Sequence, residues 1–195
     1  MYDENKNFIE KITTGLDGIA ITSKLEKGIK YVKELEGESG EWYQLNENEY
    51  SAEIVKHGEI VELNITNKSD NPDIDVEKDG IIQTTANQEI KYDFTIGNIG
   101  NVPLNNFTWY DYLPTEYVTA TKLVTGTYNQ DIDYAIYYKT NKNDYRLLKD
   151  NLNTQTNNYI DFSNLELDSD EYVTEFKAEF GNVDIGFSSV EKPQL

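Results

Sequence analysis

The sequence predicts an all-β protein of two tandem domains, and three observations predict it. Short runs of alternating polar and apolar residues recur at intervals of about 8–15 residues, a spacing typical of β-sandwiches. Asparagine, glycine and aspartate lie between the runs, as expected for turns. Helical periodicity is nearly absent, whereas tyrosine, which favours strands, occurs 15 times in 195 residues. A chain of this length holds one large or two small domains.

The first part of the chain contains five alternating runs, each interpreted as a strand. They span residues 7–13, 19–23, 30–35, 50–56 and 59–67. The stretches TTGLDGIA and KHGE between them contain glycine and polar residues and are interpreted as turns. The stretch NKSDNPDID (67–75) then predicts a linker, so that the two domains span residues 1–69 and 70–195.

A new alternation begins directly after the linker and predicts the strands of the second domain. The first strand carries Ile74, Val76 and Lys78 on one face. Further strands are predicted at residues 89–96, 105–110, 118–127, 133–139, 145–148, 159–162, 172–180 and 183–187. The two halves of the chain are not close sequence repeats of each other.

Two polar residues of the first domain fall on faces that the alternation marks as apolar. Because successive side chains of a strand point to opposite faces, Asn67 lies on the face of Leu63 and Ile65. Glu34 likewise shares a face with Val32. A buried carboxyl or amide costs free energy unless another group pairs with it, so this placement points to a function.

The same alternation of side chains predicts that a lysine and an aspartate of the second domain point toward its interior. Lys78 follows Val76, and Asp111 follows Phe107 and Trp109. A buried salt bridge, or side chains that reach water at strand ends, accounts for this pattern. The alternative is an intramolecular isopeptide bond, because burial favours a neutral amine and a protonated carboxyl.

The isopeptide alternative rests on acid–base chemistry. A neutral amine is a nucleophile, and a protonated carboxyl polarises an amide carbonyl and shuttles protons. A fixed cluster of Lys, Asp or Glu, and Asn can therefore join itself and release ammonia, with proximity supplying most of the rate. By analogy with a disulfide, such a bond across a long loop contributes about 4–5 kcal/mol to stability.

Composition and charge exclude several classes of site and partner. The net charge of −19 repels nucleic-acid phosphate and anionic lipid, so neither is expected as a partner. The absence of cysteine removes disulfides and thiolate metal sites. His57 is the only histidine and is interpreted as a solvated turn residue, so no cofactor is expected. The acidic stretch DNPDID allows calcium, but a solvated linker is the simpler interpretation.

Membrane insertion and a cleaved leader are not expected from this sequence. No apolar run reaches the ~18 residues of a membrane-spanning helix. The N-terminal stretch MYDENKNFIE lacks the basic and apolar regions of a signal peptide. If the protein is exported, we expect this chain to be an interior piece of a longer protein.

The first domain contains, in order, the stretches DENKNFIEKITTGLDGIAITSKLEKGIKYVKELE, GESGEWYQLNEN and IVELNITNK. Over about the first 70 residues this order resembles the Cna-B or SpaA-type pilin domains of Gram-positive surface proteins. The resemblance implies that Glu34 takes the family's catalytic carboxyl position and Asn67 its amide-acceptor position. The family's lysine belongs to an earlier strand that is missing here, and Lys6, Lys11 and Lys24 do not match it.

The second domain contains the stretches DVEKDG, EIKYDFTIGNIGNVPLNNFTWYDYLP and TEFKAEFGNVDIGF. They resemble the conserved repeat domains found beside such pilin domains in wall-anchored proteins. The resemblance implies two tandem Ig-like or prealbumin-like β-sandwich domains, with Lys78 and Asp111 as a bond-forming pair. The acceptor would be an Asn or Asp on a late strand. Asn182 keeps the parity of Phe180, and an acceptor beyond Leu195 is the alternative.

Both resemblances imply a structural stalk segment of a Gram-positive adhesin or pilin on the cell wall surface. Its partners would be neighbouring domains of the same protein, and it would not act as an enzyme on other molecules. One alternative is a binding module for a glycan or host matrix protein, with Trp42, Tyr43, Tyr137 and Tyr138 as candidate stacking residues. The other is an enzyme with paired carboxylates, such as a glycosidase, which requires two carboxyls roughly 5–10 Å apart across a cleft.

Overall fold

The computed structural model describes residues 1–35, 43–81 and 84–195. The described residues form β-strands and a single short 3₁₀ helix, Phe162–Asn164, so the all-β prediction is confirmed. The chain separates into two compact units, unit 1 at Met1–Asp70 and unit 2 at Asn71–Leu195. The described residues contain no helix that is long and apolar enough to cross a membrane.

Unit 1 is built around one antiparallel strand pair, β1 (Gly28–Val32) and β2 (Tyr50–Ile54). The register runs from Gly28 opposite Ile54 to Val32 opposite Tyr50. The N-terminal segment adds to this pair, because Tyr2 and Tyr31 exchange backbone hydrogen bonds of 2.8 and 3.0 Å. Two of the five predicted strands, those at 30–35 and 50–56, thus overlap observed ones.

The other predicted strands of unit 1 are corrected by the structure. Residues 7–13, 19–23 and 59–67 form no strand, although Phe8 makes an isolated bridge to Tyr2. Val61, Leu63 and Ile65 keep 41%, 36% and 41% of their surface exposed. Alternation produces a strand only where a neighbouring strand and a covering layer accept it, and the described part of unit 1 supplies neither for this segment.

Unit 2 contains ten strands in its described residues. They are β3 (Ile74–Gly80), β4 (Tyr92–Asn98), β5 (Leu104–Tyr112), β6 (Lys122–Val124), β7 (Thr127–Tyr128), β8 (Asp133–Thr140), β9 (Arg146–Asn153), β10 (Tyr159–Asp161), β11 (Val173–Val183) and β12 (Ser189–Glu191). One sheet has the order β5-β11-β8-β9 and is antiparallel throughout. The remaining strands form the pairs β3-β4, β6-β10 and β7-β12. Gln194 bridges to both β4 and β6, which joins two of these pairs through the C-terminal segment.

The hydrophobic core of unit 2 lies on the inner face of the four-stranded sheet. Alternate residues of β5, β8 and β11 are buried there, as period-2 patterning requires. The rings of Phe94 on β4 and Trp109 on β5 meet edge to face at 4.8 Å. Phe180 and Phe187 continue the core, with ring centroids 5.4 Å apart. The β3-β4 pair therefore packs against β5, and this contact positions the candidate site.

Two predicted strands of unit 2 differ from the observed ones. The run 118–127 is interrupted at Gly126, whose φ of +67° belongs to the left-handed region. Residues 183–187 do not form a separate strand, because β11 extends to Val183 and a turn with Gly186 at φ +75° follows. The short strand β12 had no clear alternation and was not predicted.

Candidate functional site

The predicted pair of Lys78 and Asp111 is brought together by β3 and β5. The Lys78 ammonium donates a hydrogen bond of 2.7 Å to Asp111 Oδ1, and the same contact is a salt bridge. Lys78 lies opposite Phe94 in the β3-β4 register, and Asp111 lies opposite Phe176 in the β5-β11 register. The contact thus joins β3 to β5 through side chains.

Asp111 is the more deeply buried partner of the pair. Its side chain is 8% exposed, against 31% for Lys78. Burial raises the pKa of the Asp111 carboxyl above its ordinary value, and the hydrogen bond from Lys78 opposes part of that rise. The Asp111 Oδ2 atom is buried, and in the described part of the chain it has no hydrogen-bond partner. The carboxyl is therefore only half satisfied by its surroundings.

The Lys78 side chain is held by aromatic rings as well as by Asp111. Its ammonium lies 4.5 Å from the ring centroid of Tyr92 and 5.3 Å from that of Phe94. Such contacts with ring faces attract a cation and fix its position. The amine nitrogen is consequently kept beside the Asp111 carboxyl group, at its Oδ1 atom.

This arrangement allows two kinds of chemistry. As an ion pair it links β3 to β5 with one charge-assisted hydrogen bond. Moving one proton from the ammonium to the carboxylate gives instead a neutral amine beside a carboxylic acid, which is the reactive combination for amide formation. On the Asp111 side, burial raises the pKa of the carboxyl and so favours its protonated form.

Asn182, the predicted acceptor, is not brought to this pair. Gly181 has a φ of +71° and lies at an irregularity in the β5-β11 register, which changes the parity beyond it. Asn182 is exposed, and its Oδ1 accepts a hydrogen bond of 3.4 Å from the Asn106 backbone. It follows Phe176, the residue opposite Asp111, by six positions, a distance of about 20 Å along a strand.

In unit 1 the structure brings Glu34 and Asn67 together. Asn67 Nδ2 donates a hydrogen bond of 2.9 Å to Glu34 Oε1, and the backbone N–H of Asn46 donates one of 2.6 Å to Glu34 Oε2. The Asn67 Oδ1 atom is buried and has no hydrogen-bond partner among the residues that the structure describes. The carboxyl is thus satisfied on both oxygens, whereas the amide carbonyl is available to a further donor.

The remaining candidates are placed as follows. Tyr138 is buried in the core, whereas Tyr137 lies on the opposite, outward face of β8. Tyr43 is 52% exposed, and Trp42 lies outside the described residues. Lys6 pairs with Glu49. The described residues contain no group of three or more side chains that could hold a metal ion.

Sequence reasoning missed a polar cluster at one end of unit 2. Glu171 Oε1 accepts hydrogen bonds from Thr140 Oγ1 at 2.7 Å, from Asn143 Nδ2 at 2.8 Å and from Arg146. These bonds lower the pKa of the Glu171 carboxyl to about 2, with the Thr140 hydrogen bond as the largest cause. The cluster connects the loop after β8 to the loop before β11. No local sequence pattern indicates this cluster, because Thr140, Asn143 and Arg146 lie 25 to 31 residues before Glu171.

Comparison with known proteins adds no relative: no family model, no curated protein and no solved structure matches this chain.

Proposed function

We propose that this chain is a structural stalk segment of a Gram-positive cell-surface adhesin or pilin, built from two tandem Ig-like or prealbumin-like β-sandwich domains. Its chemistry is directed at itself, and it is not an enzyme for other molecules. The observation that carries the proposal is the Lys78–Asp111 contact, in which the Lys78 ammonium lies 2.7 Å from the buried Asp111 carboxyl and joins β3 to β5. A stalk needs its first strands tied to the core, because a pulling force is applied along the chain.

The proposed bond is an amide between Lys78 Nζ and Asp111 Cγ. The neutral amine attacks the carbon of the protonated carboxyl, a C–N bond forms, the C–OH bond breaks, and one water leaves. The fixed approach of the two groups supplies the advantage of an intramolecular reaction. The product carries no charge, so the cost of keeping a carboxylate buried with a partnerless oxygen disappears. Asp111 thus supplies the carbonyl itself, since Asn182 is not within reach.

Glu34 and Asn67 fit the same proposal as the carboxyl and amide of a second cross-linking site. Their 2.9 Å hydrogen bond supports it, and so does the partnerless Asn67 Oδ1, which a lysine ammonium could satisfy.

The mechanical part of the proposal is tested by stretching the chain between two handles in a single-molecule force experiment. The bond would withhold the stretch from Lys78 to Asp111, a sequence separation of 33 residues, from extension. Unit 2 of the parent chain should therefore lengthen by about 110 Å less than unit 2 of Lys78→Ala. Equal lengthening of the two chains would contradict the proposal. Labelling intact cells of the source organism with an antibody to this segment tests its surface location.

A further inference from the structure

The outward face of the four-stranded sheet in unit 2 carries an unusual row of side chains. In the strand registers Tyr110 lies opposite Lys177, Lys177 opposite Tyr137, and Tyr137 opposite Leu147. The row therefore crosses all four strands, from β5 through β11 and β8 to β9. We call Tyr110, Tyr112, Tyr137, Tyr145 and Leu147 the tyrosine face.

Three of the five residues of the tyrosine face are exposed to solvent, and Tyr137 and Tyr145 are half-buried. Tyr112 is 66% exposed, Leu147 51% and Tyr110 46%. An antiparallel sheet with one solvated side normally presents polar residues there. A contiguous exposed apolar patch of this kind commonly marks an interaction site. The core does not explain these residues, because the residues buried in the core alternate with them along each strand.

The rings are held in place by charged neighbours. The Lys177 ammonium lies 4.5 Å from the Tyr137 ring centroid and 4.7 Å from that of Tyr145. The Tyr145 hydroxyl donates a hydrogen bond of 2.7 Å to Glu175 Oε2, and its ring meets Tyr110 edge to face at 6.2 Å. A fixed ring loses little entropy when a ligand binds to it.

The charges on this face cancel. Lys139 pairs with Glu175 at 3.2 Å, and Lys177 pairs with Glu179 at 2.6 Å. The face is thus neutral within a chain whose net charge is −19. The surrounding acidic surface repels polyanions, so the neutral face favours an uncharged ligand over an anionic one.

From these observations we propose that the tyrosine face binds an extended, uncharged polysaccharide. The flat C–H faces of sugar rings pack on aromatic rings, and sugar hydroxyls hydrogen-bond to carboxylates and ammonium groups such as those of Glu175 and Lys139. Tyr110 and Tyr137 lie on strands two positions apart, so their backbones are separated by about 10 Å. An extended disaccharide spans a comparable length, so every second sugar would meet a tyrosine.

The test is isothermal titration calorimetry of the full 195-residue chain with cellohexaose, xylohexaose and mannohexaose. We expect at least one of them to bind, and the double substitution Tyr110→Ala, Tyr112→Ala to weaken that binding at least tenfold. Tyr159→Ala is the matched control, because Tyr159 is a 63% exposed tyrosine on β10, outside this sheet. This control should bind like the parent chain, and equal urea midpoints would show that every variant folds.

Two results would overturn this proposal. One is the absence of binding to all three hexasaccharides at ligand concentrations up to about 10 mM, well above a Kd of 1 mM. The other is an equal loss of affinity in the double variant and in Tyr159→Ala. Binding of a matrix protein without binding of any oligosaccharide would overturn the proposal in the same way as the first result, because it would assign the face to a protein partner. Neither result depends on whether Lys78 is cross-linked.

Discussion

At the scale of single residues, the most informative atom is Asp111 Oδ2. It is buried without a hydrogen-bond partner, an arrangement that costs about 1–3 kcal/mol. The same carboxyl holds the Lys78 ammonium on its other oxygen. A salt bridge alone leaves this cost in place, whereas an amide removes both charges. The proposed cross-link therefore explains why such a carboxyl is kept in the core.

Glu171 gives a pH prediction at the same scale. Its pKa of about 2 in the folded chain lies below the ordinary 4.5, so the ionised form favours the folded state. This contribution is complete above pH 4.5 and is lost as the pH falls from 4.5 toward 2. We expect the urea midpoint of unit 2 to fall between pH 7 and pH 3, and to fall less in Glu171→Gln.

Glu166→Gln is the control for this pH series, because Glu166 is exposed in the preceding loop. It should follow the pH dependence of the parent chain. If Glu171→Gln lost as much stability on acidification as the parent chain, the hydrogen bonds to Glu171 would not be the source of the effect.

At the candidate site of unit 2, strand parity predicts the position of Asp111 correctly, because alternation continues from Trp109 to this buried residue. The predicted inward face of β3 is wrong, because Ile74 and Val76 are each 49% exposed and Lys78 lies on this same exposed face, although its ammonium reaches Asp111. The predicted inward position of Asn182 is wrong, because the irregularity at Gly181 changes which face of the sheet the next residues occupy. Strand parity holds only within an uninterrupted strand, so one residue with a left-handed backbone conformation makes it unreliable for the residues that follow.

At the scale of elements, two glycines with similar φ angles should respond differently to substitution. Gly126, between β6 and β7, has φ +67°, and an added Cβ would lie 2.2 Å from the Glu191 carbonyl oxygen. Gly181 has φ +71°, but an added Cβ would meet no atom within 4 Å. Gly181→Ala should lower the free energy of unfolding by about 1–2 kcal/mol, because alanine disfavours the left-handed conformation. Gly126→Ala should lower it by about 1–3 kcal/mol more, because the C-terminal segment must move to make room for the added Cβ.

Urea unfolding of the two glycine variants beside the parent chain measures these costs. Equal costs would show that the contact between Gly126 and the segment after β12 is not tight.

The long strands of unit 2 were predictable, whereas several runs of unit 1 were not. Strand β8 alternates over its eight residues and β11 alternates from Phe176 to Phe180, and both lie in the centre of a sheet, so pattern and environment agree. Residues 59–67 alternate just as regularly but find no neighbouring strand in the described part of the chain. Tertiary context, which a single segment does not encode, decides between the two outcomes.

At the scale of the whole molecule, the two units differ in how much they bury. All seventeen residues of the hydrophobic core cluster belong to unit 2. In the described part of unit 1, the buried residues are Met1 and Lys30. Local stability follows buried contacts, so unit 1 should open far more readily than unit 2.

Hydrogen exchange followed by mass spectrometry tests this difference between the units. We expect the amides of residues 59–67 to exchange at nearly the intrinsic rate, while those of β8 and β11 stay protected at the same time points. Protection of residues 59–67 equal to that of β11 would contradict this description of unit 1.

The cross-link between Lys78 and Asp111 is the central claim, and the intact mass of the purified chain tests it most directly. The account predicts a mass lower than that of the sequence by one water, with Lys78 and Asp111 found in one branched peptide after digestion. The Lys78→Ala variant should show the full mass of its own sequence. A parent chain with the unmodified mass would contradict the claim.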